Sequence, residues 1–299
     1  MIPTFVIFFR EGIEASMIVA ILLSYLKRIG QRRHFRDVYW GVAAALVLIV
    51  AGGVGAYEFI DQYNGSNVQT YFETATYLVA AGALTYMTFW MQRHARSLAH
   101  DLEQRSDLAL SGGARAGLGL LAFQAVGREG LETMVFTLAI IFASAKQAGA
   151  PLRGNYLLLG AALGLALALG VAFAIYRLGA KLNLRRFFQV LGVVLMIFAA
   201  GLLADAVENL QRLGWLPFGR HVLWNSSHFV SEASSIGDAL HSLLGYAERP
   251  TLLQALVWVV YVAISMTAFI GRGGRRARHH GPPEDATSSQ GSRPSAGNV

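Results

Sequence analysis

The chain has 299 residues, of which 54% are hydrophobic and only 14% are charged, and its mean hydropathy is +0.44. This balance is far more apolar than that of an average soluble domain and indicates a polytopic membrane protein. The 25 Lys and Arg residues outnumber the 18 Asp and Glu residues, but they fall in short clusters between apolar stretches, which argues against nucleic acid as a partner. The sequence contains no cysteine, which excludes disulfides, iron–sulfur clusters and thiolate zinc sites.

Seven apolar stretches are long enough to form membrane helices, since a bilayer core of about 30 Å takes roughly 20 helical residues. We predict an all-α polytopic fold with a membrane domain over residues 1–270, in which an outer loop at 211–250 precedes helix 7. Residues 271–299 are rich in Gly, Arg, Ser and Pro and predict a disordered cytoplasmic tail. The predicted spans are 2–26, 38–60, 71–91, 116–145, 156–178, 187–210 and 252–270.

Basic residues distinguish the two ends of the predicted helices. The segments after helices 1, 3, 5 and 7 contain five, four, four and five Lys or Arg residues, whereas the segments after helices 2, 4 and 6 contain five altogether. Lys and Arg accumulate in cytoplasmic loops. We therefore predict that the N-terminus faces outward and the C-terminus faces the cytoplasm.

One charged pattern occurs twice inside predicted spans. In a helix, its two glutamates lie on one face, three residues apart, and its arginine lies beside the second glutamate at the i,i+4 spacing. Its glycine leaves room for another helix or a hydrated ion near the backbone. Because the copies are three helices apart, the second enters the membrane from the other side, which predicts an inverted repeat of residues 2–91 and 116–210. The copies are Arg10-Glu11-Gly12-Ile13-Glu14 in helix 1 and Arg128-Glu129-Gly130-Leu131-Glu132 in helix 4.

The presence of six charged residues inside predicted membrane helices requires an explanation. Burying each one costs about 2.5 to 3.5 kcal/mol even on the scale from membrane-insertion experiments, which gives the lowest values. Four carboxylates and two guanidinium groups leave a net charge of −2, which a bound cation would offset. Carboxylate oxygens without cysteine suit hard ions such as ferric iron, Mg, Ca or Mn. The structural alternative is that the pairs Arg10–Glu14 and Arg128–Glu132 neutralise themselves and only lock helix 1 against helix 4.

With these motifs, the sequence resembles the oxidase-dependent iron transporter family, and in particular its bacterial EfeU type of seven-helix inner-membrane permeases. The resemblance covers residues from about 5 to 269 and includes residues 24–28, the helix from 72 to 91, residues 182–184 and residues 245–246. It implies high-affinity uptake of iron, in the ferric form after external oxidation, across the inner membrane into the cytoplasm. It also implies a periplasmic iron-binding protein and a haem peroxidase or other oxidase as partners, with iron as substrate and no permanently bound cofactor.

The resemblance also implies roles for individual residues. Glu73, at the outer start of helix 3, is a candidate ligand on the way in, or else a polar residue that favours the helix dipole. The implied metal ligands are Glu11, Glu14, Glu129, Glu132 and, as a further candidate, Glu73, with Arg10, Gly12, Arg128 and Gly130 as motif support.

Two other functions fit parts of the pattern. A transporter of another divalent metal, such as lead or manganese, would use the same scaffold. An intramembrane carboxylate–iron redox enzyme is less consistent with the sequence, because such sites add histidine ligands and all eight histidines fall in predicted loops or the tail. We therefore predict a transporter and not an enzyme.

Overall fold

The structure, a computed structural model, is mainly helical in the part of the chain that it describes, with an irregular segment between Arg212 and Leu252. Those residues also contain one 3-10 turn, Arg32–His34, and an isolated bridge between Val222 and Thr251. The described residues are 1–62, 66–94, 102, 104, 106–108, 117–145, 154–178, 184–229, 231, 234, 237, 240–241 and 244–275.

Seven long helices in the described residues coincide with the predicted spans to within a few residues at each end. The largest difference is at α7, which continues to Arg275, five residues into the predicted tail. The remainder of that tail, 276–299, lies outside the described residues. The helices are α1 (Ile2–Arg28), α2 (Phe35–Gln62), α3 (Asn67–His94), α4 (Gly117–Ala145), α5 (Gly154–Leu178), α6 (Leu184–Arg212) and α7 (Leu252–Arg275).

Local signals explain where α1 begins and ends. Pro3 lies in the first turn, where a missing backbone N–H leaves no hydrogen bond unmade. Lys27 and Arg28 lie in the last turn, where positive charge favours the helix dipole. Gly30 follows with a φ of 77°, a left-handed conformation that glycine adopts readily after a helix.

Four of these helices, α2, α5, α6 and α7, contain segments long and apolar enough to cross a membrane. In α1 and α4 the three charged motif residues interrupt the apolar run, and α3 carries Glu73 among several threonines. The spanning segment of α6 is 67% buried, compared with 17% in each of the other three. Helix α6 therefore lies inside the bundle, and α2, α5 and α7 lie at its surface.

The largest interfaces join α1 to α5, α2 to α4 and α3 to α6, while α7 packs on α6. A smaller interface joins α1 to α4, which are the two helices that carry the charged motifs. Helices α1 and α2 follow one another in sequence but have little contact. The first helix of each predicted repeat therefore packs chiefly against the second helix of the other repeat.

Glycine allows the backbones to meet at the α2–α4 and α1–α5 interfaces. A Cβ atom on Gly41 of α2 would collide with the backbone of Gly119 in α4, and one on Gly160 of α5 would collide with the backbone of Met1, the residue that precedes α1. Backbone atoms cannot rotate away as a side chain can. Both positions therefore require glycine for close helix packing.

We expect Gly41→Ala to lower the stability of the protein by about 1 to 3 kcal/mol, because the added methyl group meets backbone and forces the helices apart. Gly55 lies on the same helix with open space around its Cβ position, so Gly55→Ala is the matched control. The control should be neutral or stabilising, since alanine favours helix. Thermal unfolding in detergent measures both, and equal midpoints would contradict the packing described here.

Two apolar clusters lie on either side of the motifs along α1 and α4. The first contains Ile7 of α1 and Phe136 of α4, together with residues of α3 and α6. The second contains Leu22 of α1 and Leu118 of α4, together with Val38 of α2. The motif positions fall between the two clusters on both helices. Apolar packing therefore flanks the charged residues in both directions along the α1–α4 interface.

Candidate metal centre

Arg10 lies between both glutamates of its own motif. Its Nη1 atom donates to Glu11 Oε1 at 2.6 Å, and its Nε atom lies 3.2 Å from Glu14 Oε1, without the alignment of a hydrogen bond. All three side chains are buried, with 3% of the Arg10 side chain exposed. The i,i+4 spacing and the helical register bring these groups together.

The second copy has the same sequence pattern and a different geometry. Arg128 Nε donates to Glu132 Oε1 at 3.2 Å, while its guanidinium carbon lies 5.1 Å from the centre of the Trp90 ring on α3. The Arg128 side chain is 44% exposed. Within the described residues, Glu129 forms no ion pair with either motif arginine.

Three of the four motif glutamates converge at the α1–α4 interface. Glu11, Glu14 and Glu129 each offer a carboxylate oxygen, and these three oxygens lie within 4.8 Å of one another. All three residues are buried. Glu132 is less buried and pairs with Arg128. We refer to Glu11, Glu14 and Glu129 as the carboxylate cluster.

Buried oxygen atoms in this region lack hydrogen-bond partners among the described residues. They are Glu11 Oε2, Glu14 Oε1, Glu129 Oε2 and Glu132 Oε2. A buried acceptor without a donor is costly, and a buried carboxylate without compensating charge is more so. Hard cations take several carboxylate oxygens as ligands, so a metal ion would satisfy these atoms.

The motif glycines accommodate neighbouring helices, which is one of the two roles expected for them. A Cβ on Gly12 would lie 2.9 Å from the Cβ of Ala168 on α5, and one on Gly130 would overlap the side chain of Ile49 on α2. Each glycine therefore lets its motif helix pack closely against the helix on its outer side.

Glu73 lies in a different polar group, between α3 and α6. Gln69 donates to its Oε1 atom at 3.0 Å, and Asn209 Nδ2 lies 3.4 Å from its Oε2 atom. The carboxylates of Glu73, Asp205 and Glu208 all interact electrostatically with the Tyr77 hydroxyl. Glu73 is buried, so it is more than a solvated residue at a helix start, but it does not join the carboxylate cluster.

His241 is a buried polar residue that the sequence did not single out. Its Nε2 atom lies 3.7 Å from Asp205 Oδ1, and its Nδ1 atom lies 2.7 Å from the Tyr246 carbonyl oxygen. His241 therefore lies between the segment after α6, through the Tyr246 carbonyl group, and the α6 helix, through Asp205. No spacing signal could have identified it, because the two residues come from separate segments and only the fold brings them together.

Comparison with known proteins identifies the family. The chain matches the model described as "Iron permease FTR1 family" over residues 1–272. The chain belongs to this family. A "Ferrous iron permease EfeU" from Yersinia pestis is 36% identical to this FTR1-family chain over 274 residues, which are 90% of this chain and 93% of the relative. A protein of the same name from Escherichia coli O157:H7 is 34% identical over 275 residues, 90% of this chain and 95% of the relative. No solved structure matches the chain.

Membership of the FTR1 family confirms several predictions from the sequence. The chain is an integral membrane permease that transports iron, and it is a transporter and not an enzyme. The helices apolar enough to cross a membrane agree with this class. The family does not by itself say which residues iron contacts, so the ligand roles of the motif glutamates stay predictions.

Proposed function

We propose that this chain moves iron across the bacterial inner membrane into the cytoplasm through the carboxylate cluster. The observation that carries the proposal is the convergence of three buried carboxylate oxygens within 4.8 Å, drawn from both copies of the motif. Each motif alone supplies two carboxylates and one arginine. The pairing of α1 with α4 brings three carboxylates together around one ion-paired arginine, Arg10, so the site has an excess of two negative charges.

The alternative, in which the arginine–glutamate pairs neutralise themselves and only lock α1 against α4, explains fewer of these observations. It accounts for Arg10 with Glu14 and for Arg128 with Glu132, but it leaves Glu129 buried without an ion pair among the described residues. An uncompensated buried carboxylate destabilises a protein unless something binds it. A transported cation supplies that compensation.

An inverted repeat is supported by equivalent contacts in the two halves. Met1 and Gly119, whose backbones meet Gly160 and Gly41, are the same distance apart in sequence as the two motif arginines. The motif glycines follow the same rule, one meeting α5 and the other α2. We infer a two-fold arrangement in which α1–α3 correspond to α4–α6.

We further propose that all seven helices cross the membrane, with an outer N-terminus and a cytoplasmic C-terminus. Helices α1, α3 and α4 have 27, 28 and 29 residues, so each is longer than the roughly 20 residues that the bilayer core requires. Their charged residues are mostly buried inside the bundle, which is where ionisable residues in membrane helices are tolerated. The distribution of basic residues sets the orientation.

Transport through this arrangement has three steps in our proposal. Iron enters from the outer side past Glu73, is held by the carboxylate cluster together with Glu132, and leaves to the cytoplasm when the α1–α4 interface opens. The apolar clusters that flank the motifs keep water from the ion while it is held. The two arginines limit the affinity of the site, so that release remains possible.

Two indications of the oxidation state of the transported iron disagree. The resemblance in the motifs implies ferric iron, delivered by an external oxidase or haem peroxidase and a periplasmic iron-binding protein. The printed names of the relatives say ferrous iron. The net charge of −2 on the six motif residues is neutralised by one divalent ion, which favours ferrous iron at the cluster itself.

We expect cells that carry this chain to accumulate iron-55 faster when ascorbate keeps the iron ferrous than when it is supplied as a ferric complex. The reason is the charge match between a divalent ion and the cluster. Faster ferric uptake that requires an added oxidase would instead support the ferric pathway. Competition with Mn²⁺ and Pb²⁺ in the same assay tests the alternative substrates, and either ion blocking uptake at equimolar concentration would favour a broader divalent carrier.

A further inference from the structure

The two motif copies share their charged residues but place their arginines differently. Arg10 turns toward the glutamate that follows it and donates to Glu11 at 2.6 Å. Arg128 does not make the equivalent contact with Glu129, and its side chain is 44% exposed whereas that of Arg10 is 3% exposed. The charged residues and the glycine are the same in both copies, so we look for the origin of the difference in the surroundings of the motifs.

One neighbouring side chain that contacts Arg128 is Trp90 on α3. The guanidinium carbon of Arg128 lies 5.1 Å from the centre of the Trp90 ring, within the range of a cation–π interaction. The same guanidinium group donates through Nε to Glu132. These two contacts, with Trp90 and with Glu132, hold Arg128 in place, and neither of them involves Glu129.

We propose that Trp90 is a positioning residue for iron binding: its indole ring holds Arg128 away from Glu129, so that Glu129 stays available to the metal. This inference rests on the proposed function of the carboxylate cluster. Arg10 shows that an arginine on this motif can reach the next glutamate. Without the ring, Arg128 would turn toward Glu129 in the same way and compete with iron for its carboxylate.

The position of the Arg128 side chain affects the net charge at the carboxylate cluster. With Arg128 held on Trp90, only Arg10 forms ion pairs with the cluster of Glu11, Glu14 and Glu129 in the described residues, while the charge of Arg128 acts on Glu129 and Glu14 from a longer distance. With Arg128 turned inward, the same three carboxylates would contact two arginines. A cation would then meet less negative charge and bind more weakly.

The test is the iron uptake kinetics of Trp90→Leu, with Trp90→Phe as the conservative variant and Trp40→Leu as the matched control. Trp40 is 69% exposed on α2. We expect Trp90→Leu to raise KM for iron by about 2- to 30-fold with little change in maximal rate, the range that follows from typical cation–π energies. Trp90→Phe should fall between wild type and Trp90→Leu, because phenylalanine keeps a weaker aromatic face.

A role in packing alone predicts another pattern, namely a lower maximal rate at unchanged KM because less folded protein reaches the membrane. That pattern, or a wild-type KM in Trp90→Leu, would overturn the inference. If Trp90→Leu does not insert, the order of KM from wild type to Trp90→Tyr to Trp90→Phe decides the question, and equal values would also overturn it.

Coupling to Arg128 gives an independent readout. Equilibrium dialysis of purified protein with ferrous iron-55 under ascorbate measures binding even where transport is lost. Replacing Trp90 by leucine should weaken binding when Arg128 is present and should have no effect in an Arg128→Gln background. An equal effect in both backgrounds would show that the ring does not act through Arg128.

The two proposals fail differently. Wild-type transport in a Glu129→Gln variant would remove the basis of the proposed function. Loss of transport in Glu129→Gln with an unchanged KM in Trp90→Leu would leave the proposed function standing and reject only the role of Trp90.

Discussion

Replacing Glu129 by glutamine should reduce iron uptake by about 100-fold or more, since the loss of even an outer-shell partner of a metal ligand costs about 10- to 100-fold. Glutamine keeps the shape of the side chain but removes one negative charge from the carboxylate cluster, and Glu129 is the member that forms no ion pair among the described residues. We expect the same result for Glu14→Gln. Initial rates of iron-55 uptake, normalised to the amount of inserted protein, measure both.

The matched control is Glu58→Gln on α2, which removes a carboxylate that is exposed and remote from the motifs in sequence. It should transport as the wild type does. Wild-type uptake in Glu129→Gln would reject the carboxylate cluster as the transport site, and wild-type uptake in Glu14→Gln would remove Glu14 from the proposed ligands. A loss in Glu58→Gln equal to that in Glu129→Gln would indicate a general effect of surface charge.

The second prediction with a large effect concerns the stability of the protein. Replacing the first motif arginine should lower it much more than replacing the second. Arg10→Met should destabilise the protein by about 3 to 5 kcal/mol, because it leaves two buried carboxylates without their partner. Arg128→Met should cost about 1 kcal/mol or less, because Arg128 is 44% exposed and its pair with Glu132 is partly solvated. Thermal unfolding in detergent at neutral pH measures the difference.

A double variant tests the physical cause. Adding Glu11→Gln to Arg10→Met removes one of the stranded charges and should restore part of the lost stability. Equal destabilisation by Arg10→Met and Arg128→Met would mean that the two copies have equivalent environments. No recovery in the double variant would mean that packing of the Arg10 side chain, and not its charge, stabilises the helix pair.

The helices and the motifs could be predicted from the sequence because both depend on local patterns. Span length follows from bilayer thickness, and the meeting of Arg10 with Glu14 follows from helical spacing. The longer reach of α7, to Arg275, was missed because apolar content marks the membrane and not the end of the helix.

The remaining features depend on tertiary contacts that no local pattern encodes. The sequence repeat predicts similar halves, but it does not predict that α1 packs chiefly on α5 and α2 on α4. The residues shared by the two motif copies gave no reason to expect a buried Arg10 and an exposed Arg128, because the contact of Arg128 with Trp90 involves another helix. The contact of His241 with Asp205 was likewise invisible.

The packing of α1 against α5 has a consequence for the insertion of the chain into the membrane during synthesis. A ribosome finishes α1 well before α5, so during synthesis the first helix must wait in or beside the membrane without its main partner. The ion pairs of Arg10 lie within α1 itself and those of Arg128 lie within α4, so each can form as soon as its own helix does. Each charged helix therefore brings its own counter-charge to the insertion step, before the metal site exists.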